Sequence, residues 1–494
     1  MSVMSHDPRT GAVVASVADT SVDQLRSVLK AAADAAPQLA ATSPAERRTW
    51  LYAVADALES HRDELARLAD HETALGLERL TGEVTRAAEQ LRFYADVAIE
   101  GSYLDVTVDE PTATTPGLVR VNRPVGPVAV FGASNFPFAF SVLGNDTASA
   151  LAAGCPVVAK AHPAHVGLSM RQADIAREAL AVAGAPRGIF TVVSGHQTGV
   201  DLVKAPEVTA VGFTGSQAGG LALWRIANER EIVIPVYAEM GTVNPVVVTR
   251  QGAADIDAVA KGFVGSFTLG NGQFCTKPGL LLAPAGSSAA AAVANALREA
   301  GPEPVMLTES IANAVGSGIS AMVDAGAEVV AGLPSGEHAW SAPAAVLTAP
   351  TAALRAGSRL LEETFGAVVL VCEYEDEREL ADVLCRLQAS LAASVFTGGA
   401  GDDQAPQIIG LLSGNVGRVV VDEWPTGVAF TWAQQHGGPW PSTSAPTSTS
   451  VGAAGLARFV RPVTYQSVHD GWLPPEAQVG NPWHLPRRVN GHRS

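Results

Sequence analysis

Apolar residues follow two rhythms along this chain. In the first hundred residues they recur at helical spacing, as at Leu25, Val28, Leu29 and Ala32. Ser21 with Gln24 and Ser43 with Glu46 make two capping boxes, so helices are predicted there. At 105–123 the pattern changes. Val106 and Val108 alternate with polar residues, a Pro/Thr/Gly turn follows, and Leu118, Val119 and Val121 precede Pro124, which predicts a two-stranded ribbon. From 126 to 249, short β-rich runs at 127–131, 156–160, 190–194, 210–213 and 232–238 alternate with helical stretches, the rhythm of βαβ units on a parallel sheet. A second α/β stretch occupies about 244–435, with strands expected at 368–371 and 418–422. The Ser/Thr/Pro/Gly-rich segment 437–452 reads as a loop or linker, and 458–465 as a final strand.

Length and charge narrow the picture. At 494 residues two or three domains are expected, and 47% hydrophobic with 17% charged residues is the balance of a globular protein. The formal charge of −16, with no run of Lys and Arg, argues against nucleic acid or an anionic membrane as a partner. The first residues carry no basic segment leading into an apolar one, and apolar runs are too short to span a bilayer, so a cytoplasmic protein is expected. Cys155, Cys275, Cys372 and Cys385 are scattered without CxxC spacing, which suggests neither a disulfide framework nor a metal site.

One cysteine stands in unusual company. Cys275 lies between the Gly270/Gly272 pair and Pro278-Gly279, where no regular element continues far, so its thiol is expected on an irregular, accessible segment. Free cysteines are more often small buried apolar residues, so the thiol needs partners to be a nucleophile. A thiolate adding to a carbonyl creates an alkoxide, which calls for donors aimed at the oxygen. Asn135, just after the 127–131 run, is a candidate, although alone it reads as a turn residue. Cleaving the resulting acyl group needs a base. Glu239 follows an apolar run and precedes Gly241; flanked by Tyr237, Ala238 and Met240, it is a candidate for a raised pKa, whereas most such acids are solvated.

Cofactor candidates follow from the same logic. Phe213-Thr214-Gly215-Ser216-Gln217-Ala218-Gly219-Gly220 separates a β-run from a helix, so Gly215, Ser216 and Gly220 are placed to let backbone N–H groups approach a pyrophosphate; the segment is not GxGxxG. Lys160 ends the 156–160 run and, with His162 close behind, could reach ribose hydroxyls or a 2′-phosphate. Glu363, next to Phe365-Gly366, could hold the nicotinamide ribose.

Taken together these segments resemble the aldehyde dehydrogenase superfamily, in the same order and over almost the whole chain. The matching motifs are Asn135-Phe136-Pro137, Phe213-Thr214-Gly215-Ser216, Glu239-Met240-Gly241 with Asn244-Pro245, and Glu362-Glu363-Thr364-Phe365-Gly366, around a central Cys275. The resemblance implies a Rossmann-type cofactor domain (1–104 and 124–243, with roughly 440–466 returning to it), an α/β catalytic domain (244–439) and oligomerisation segments (105–123 and 467–494). It implies Cys275 as nucleophile, Asn135 as oxyanion donor, Glu239 as general base, and Lys160, His162, Gly215, Ser216, Gly220, Glu363 and Phe365 around NADP or NAD, with NADP expected to be preferred.

In detail the motifs look closest to the 2,5-dioxovalerate (α-ketoglutarate semialdehyde) dehydrogenase branch, through Lys160-Ala161-His162-Pro163, Phe274-Cys275-Thr276-Lys277-Pro278-Gly279, Trp424-Pro425-Thr426-Gly427-Val428 and His436-Gly437-Gly438-Pro439. A related branch oxidises long-chain fatty aldehydes with NADP and is the alternative; a CoA-acylating enzyme is disfavoured by the carboxylate at Glu239, and a non-catalytic relative by the three site residues together. Two departures stand out: Asp422-Glu423 where an Asn-Gly type pair is usual, and Phe430-Thr431-Trp432 where smaller residues are usual, beside the expected substrate tunnel. The ribbon and the tail, with Trp472 and Trp483, lead to the expectation of a homodimer or homotetramer.

Overall fold

The computed structural model describes residues 1–493. Both capping boxes form: Ser21 and Gln24 start the helix Val22–Ala40, and Ser43 and Glu46 start Pro44–Ser60. Leu25, Leu29, Ala32, Ala35 and Leu39 bury one stripe of the first helix, as their spacing requires. The chain opens differently from the helical expectation, on an antiparallel hairpin of Ser2–His6 and Val13–Ala18. Its residues are too few and too exposed to give a clear two-residue rhythm.

Five parallel strands make the first sheet, in the order Phe190–Val193, Val157–Lys160, Val128–Phe131, Ala210–Gly215, Val236–Met240. In chain order this is 3-2-1-4-5, the arrangement of a Rossmann-type half, with its reversal at Val128–Phe131. That central strand is buried at every position, which is why it reads as an unbroken apolar run. The expected run at 232–238 is displaced: Ile232 and Val233 are exposed and the strand begins at Val236.

A second, seven-stranded sheet runs Glu328–Leu333, Ala344–Thr348, Val368–Tyr374, Leu280–Pro284, Pro245–Val248, Ser390–Phe396, Val416–Val421, parallel except at the first edge pair. The last strand starts two residues earlier than expected and stops before Asp422. There Asp422 adopts φ 53°, and its carboxylate accepts from the Thr397 N–H at 2.7 Å and the Thr397 hydroxyl at 2.9 Å. Asp, like Asn, tolerates this left-handed turn, and its carboxylate ties the strand end to the neighbouring strand's last turn.

The 105–123 segment folds as Val106–Asp109 against Leu118–Pro124. Val460–Gln466 pairs along the whole of the second strand, and Arg487–Val489 joins the first, so the ribbon grows into a five-stranded sheet. Among the described residues no helix is long and apolar enough to cross a membrane.

Candidate active site

Cys275 lies where the two parallel sheets meet. The helix Ile256–Thr268 ends in a short 3-10 segment in which Gly270, Asn271 and Gly272 have φ of 57°, 63° and 74°. This left-handed run turns the chain sharply and delivers the thiol on a turn, half-buried. A Cβ on Gly272 would lie 2.2 Å from the carbonyl carbon of Gly366, so only glycine lets the nucleophile turn touch the Glu363 turn. The Gly366 N–H donates to the Gly272 carbonyl at 3.1 Å.

Lys277 strengthens that junction. Its fully buried ammonium donates to the carbonyls of Thr364 at 3.0 Å and Val368 at 2.9 Å. Burial holds Lys277 below and Glu363 above their ordinary pKa values, each partly offset by the other's charge. Asn244, at φ 50°, donates through its amide to the carbonyls of Cys275 at 2.8 Å, Lys277 at 3.1 Å and Thr242 at 3.0 Å, which fixes the turn from below.

Asn135 follows the central strand of the first sheet, at the carboxyl end where ligands collect. Its amide donates to the Gln273 carbonyl at 2.6 Å, two residues before the thiol, and its second N–H remains to serve an oxygen. Arg79 clamps the Asn135 carbonyl at 2.6 Å, and buried Glu83 accepts from the Phe138 and Ala139 N–H groups at 2.9 and 3.1 Å.

Glu239 sits near the end of Val236–Met240, 4% exposed. Burial raises its carboxyl well above the usual range; the buried Arg458 opposes this, Asp146 adds to it, and a Thr443 hydroxyl bond opposes it. Arg458 is already paired with Asp146 at 2.8 Å. One Glu239 oxygen, Oε2, has no hydrogen-bond partner. Residues 442–444 run beside this strand end, with Met240 N–H donating to the Ser442 carbonyl at 2.9 Å.

Burial, with the Glu363 and Glu239 carboxylates nearby, pushes the Cys275 thiol up to about 12. Across the sulfur stands His436, whose Nε2 lies 3.7 Å from Sγ. Burial, with Arg418 and Arg86 beside it, lowers this imidazole to about 3, so it is neutral. Sequence reasoning noted His436 only within a motif. The signal that would have found it is a histidine in a Gly-rich loop, which is weak without the fold.

The cofactor candidates gather around the first sheet and the junction. Ser216 caps the helix Gln217–Asn228, its hydroxyl accepting from the Gly219 N–H at 3.2 Å, and Gly215 ends the preceding strand. A Cβ on Gly220 would lie 2.7 Å from Met240 Sδ, so this glycine draws the helix onto the sheet. Lys160 ends its strand, its ammonium lowered by burial and opposed by Asp19. His162 caps Pro163–His165, its Nδ1 accepting from the Ala164 N–H at 3.1 Å, and burial keeps it neutral. Glu363 packs over Gly241, and its Oε1 is buried without a partner; half-buried Phe365 is two residues on. An orphaned acceptor at the junction, helix N–H groups at Ser216 and an ammonium at a strand end fit a dinucleotide with its ribose hydroxyls and pyrophosphate.

The aldehyde dehydrogenase family model matches residues 1–443. The chain belongs to the aldehyde dehydrogenase family. It is 42% identical over 461 residues, 90% of this chain and 87% of the relative, to alpha-ketoglutaric semialdehyde dehydrogenase 2 of Azospirillum brasilense. It is 37% identical over 481 residues, 95% and 91% of the two chains, to alpha-ketoglutaric semialdehyde dehydrogenase of Acinetobacter baylyi. The solved NAD-dependent aldehyde dehydrogenase of Sinorhizobium meliloti superposes with a TM-score of 0.81 at 25% identity, covering 94% of this chain and 91% of that one. An NADP-dependent enzyme of E. coli superposes with 0.79 at 23% identity, covering 94% of each, so likeness of fold does not separate the two cofactors. As a family member this aldehyde dehydrogenase oxidises an aldehyde to a carboxylic acid with NAD(P).

Proposed function

We propose that the aldehyde is α-ketoglutarate semialdehyde (2,5-dioxopentanoate) and the product 2-oxoglutarate. The observation that carries this reading is the 42% and 37% identity, over nine-tenths or more of the chain, to two relatives named for that substrate.

In this reading Cys275 Sγ adds to the aldehyde carbon as its proton leaves to water, and the free N–H of Asn135 with the Cys275 backbone N–H holds the alkoxide. His436, too weak a base to hold a proton at neutral pH, serves the sulfur by donating an N–H to the thiolate. The nicotinamide, when bound, supplies the acceptor for the hydride that leaves this carbon. Glu239 then takes a proton from water as the water attacks the thioester; the C–S bond breaks, the acid leaves, and the departing sulfur takes up the proton that Glu239 gives back. Its raised pKa and unpartnered oxygen suit that work. Glu363 and Phe365 border the nicotinamide ribose; Gly215, Ser216 and Gly220 carry the pyrophosphate; and Lys160, with His162 shaping the turn behind it, faces the adenosine ribose.

A half-buried ammonium at that ribose, only partly offset by Asp19, favours NADP over NAD, because a 2′-phosphate would neutralise it. A groove lined by Leu118, Val119, Tyr465, Trp472 and Val479, with Trp472 81% exposed, supports a homodimer or homotetramer built on the ribbon sheet. We place the enzyme in the cytoplasm. The deciding experiment compares kcat/KM for 2,5-dioxopentanoate and a long-chain aldehyde, each with NAD and NADP. The highest value is expected for the semialdehyde with NADP; a higher value for the long-chain aldehyde overturns the substrate, and a much higher value with NAD overturns the cofactor preference.

A further inference from the structure

The helix Leu77–Glu100 carries Arg79, Glu83 and Arg86 at spacings of four and three, which places all three on one face. Arg79 and Glu83 hold the Asn135 loop, as described. Arg86 is directed elsewhere: its guanidinium lies 5.8 Å from the ring centres of Phe140 and Phe430 and 6.0 Å from that of Phe136, and its Nη2 donates to the Val428 carbonyl at 2.6 Å. Arg418, on Val416–Val421, donates to the Pro425 carbonyl. Gly417 beside it has no room for a Cβ against the Gly437 carbonyl, so the strand carrying Arg418 runs against the His436 loop.

Both arginines respond to the charge on the Cys275 sulfur, and both depress His436. Yet neither has a carboxylate within ion-pair distance among the described residues, and Arg86 Nε is buried without a hydrogen-bond partner. The one acid that Arg86 senses is Glu83, which already accepts two backbone N–H groups and which burial drives toward its neutral form. Two largely desolvated guanidinium groups with no counter-anion are unfavourable in a resting protein. An anion that arrives with the substrate satisfies them.

We propose that Arg86 and Arg418 form the receptor for the carboxylate at the far end of the substrate, held a few carbons from the aldehyde on Cys275. Phe136, Phe140 and Phe430 wall the methylenes between. A neutral aldehyde of the same length leaves both cations unpaired, so the site discriminates by what it leaves unsatisfied. The aromatics at Phe430 and Trp432 fit this picture: both meet Phe93 edge to face, at 5.8 and 6.3 Å, which seats Phe430 against Arg86 and leaves Trp432 57% exposed.

This proposal rests on the semialdehyde reading, and the test separates the two. Specificity is measured as the ratio of kcat/KM for 2,5-dioxopentanoate to that for pentanal, in wild type, Arg86→Met and Arg418→Met, with melting temperature recorded for each. The ratio is expected to fall by about 100-fold in each variant, chiefly through KM for the acid, the loss typical of truncating one partner of a desolvated charge pair. An unchanged ratio in folded variants, with wild type preferring the acid, overturns the receptor and leaves the substrate reading standing. A wild type that prefers pentanal overturns both. A variant-free arm uses wild type alone: glutarate is expected to protect Cys275 from iodoacetamide and glutaramide not to, and equal protection by the two overturns the receptor.

Discussion

Replacing Glu239 with Gln keeps the side chain's shape and removes only its capacity to take a proton. General-base assistance contributes roughly 100- to 10,000-fold, which at about 1.4 kcal/mol per decade is about 3–5 kcal/mol of barrier. The surroundings argue for the middle of that range or above. No neighbour can stand in: His436 is a weak base at about 3, and Arg458 is committed to Asp146. A loss of about 1,000-fold in steady-state kcat is therefore expected. The thioester forms before the base acts, so rapid mixing followed at 340 nm should show a burst of reduced cofactor of one equivalent per site, then near-arrest, and quenched protein should carry the acyl mass on Cys275. The sign of the accompanying pH effects is fixed by burial. A base with a raised pKa gives wild-type kcat a rising limb displaced upward from the ordinary carboxylate range, and the variant should lose that limb. For stability, a folded pKa above the unfolded value disfavours the folded state increasingly as pH rises from the unfolded toward the folded pKa. The amide escapes this, so at pH 8 the variant should melt no lower than wild type. Normal turnover without an adduct would refute the assignment, and a lost burst would move Glu239 to the step before the thioester.

The junction between the two turns gives further outcomes. Gly272→Ala places a Cβ in the Gly366 backbone and adds a side chain at φ 74°, so a stability loss of about 3 kcal/mol is expected by urea titration; a loss under about 0.5 kcal/mol would contradict the contact. Lys277→Met strips two buried carbonyls of their donor and should cost about 3 kcal/mol, with KM for the dinucleotide rising as the Glu363 turn loosens; unchanged stability would show that water replaces the ammonium. Gly220→Ala meets Met240 and should lower stability by about 1–3 kcal/mol while weakening dinucleotide binding, read by fluorescence titration; tighter binding would contradict its packing role.

The parts of the site legible in the sequence are those whose signal is local. Capping boxes at Ser21 and Ser43 are completed within four residues, and the glycines around Cys275 announce an irregular turn wherever it sits in space. Asn135 and Glu239 could be located because one follows an apolar strand and the other lies near the end of one. What stayed hidden is what the fold brings from far away. His436 is 161 residues from Cys275, and Arg86 reaches Val428 across 342 residues. Arg86 reads as an ordinary helical arginine until the helix face it shares with Arg79 and Glu83 is seen to border the site. Lys277 enters the sequence reading only as a motif position, although it is among the largest fully buried side chains. The strand expected at 232–238 starts four residues late for a physical reason of its own: β-branched residues favour strands only where neighbours cover them, and Ile232 and Val233 are left exposed.

The most direct test of the central claim is the loss of the thiol itself. Cys275→Ala, folded by melting temperature and binding the dinucleotide, is expected to produce no reduced cofactor at 340 nm with any member of an aldehyde panel that wild type oxidises. Activity retained at the wild-type rate would contradict a mechanism that passes through a bond to Cys275.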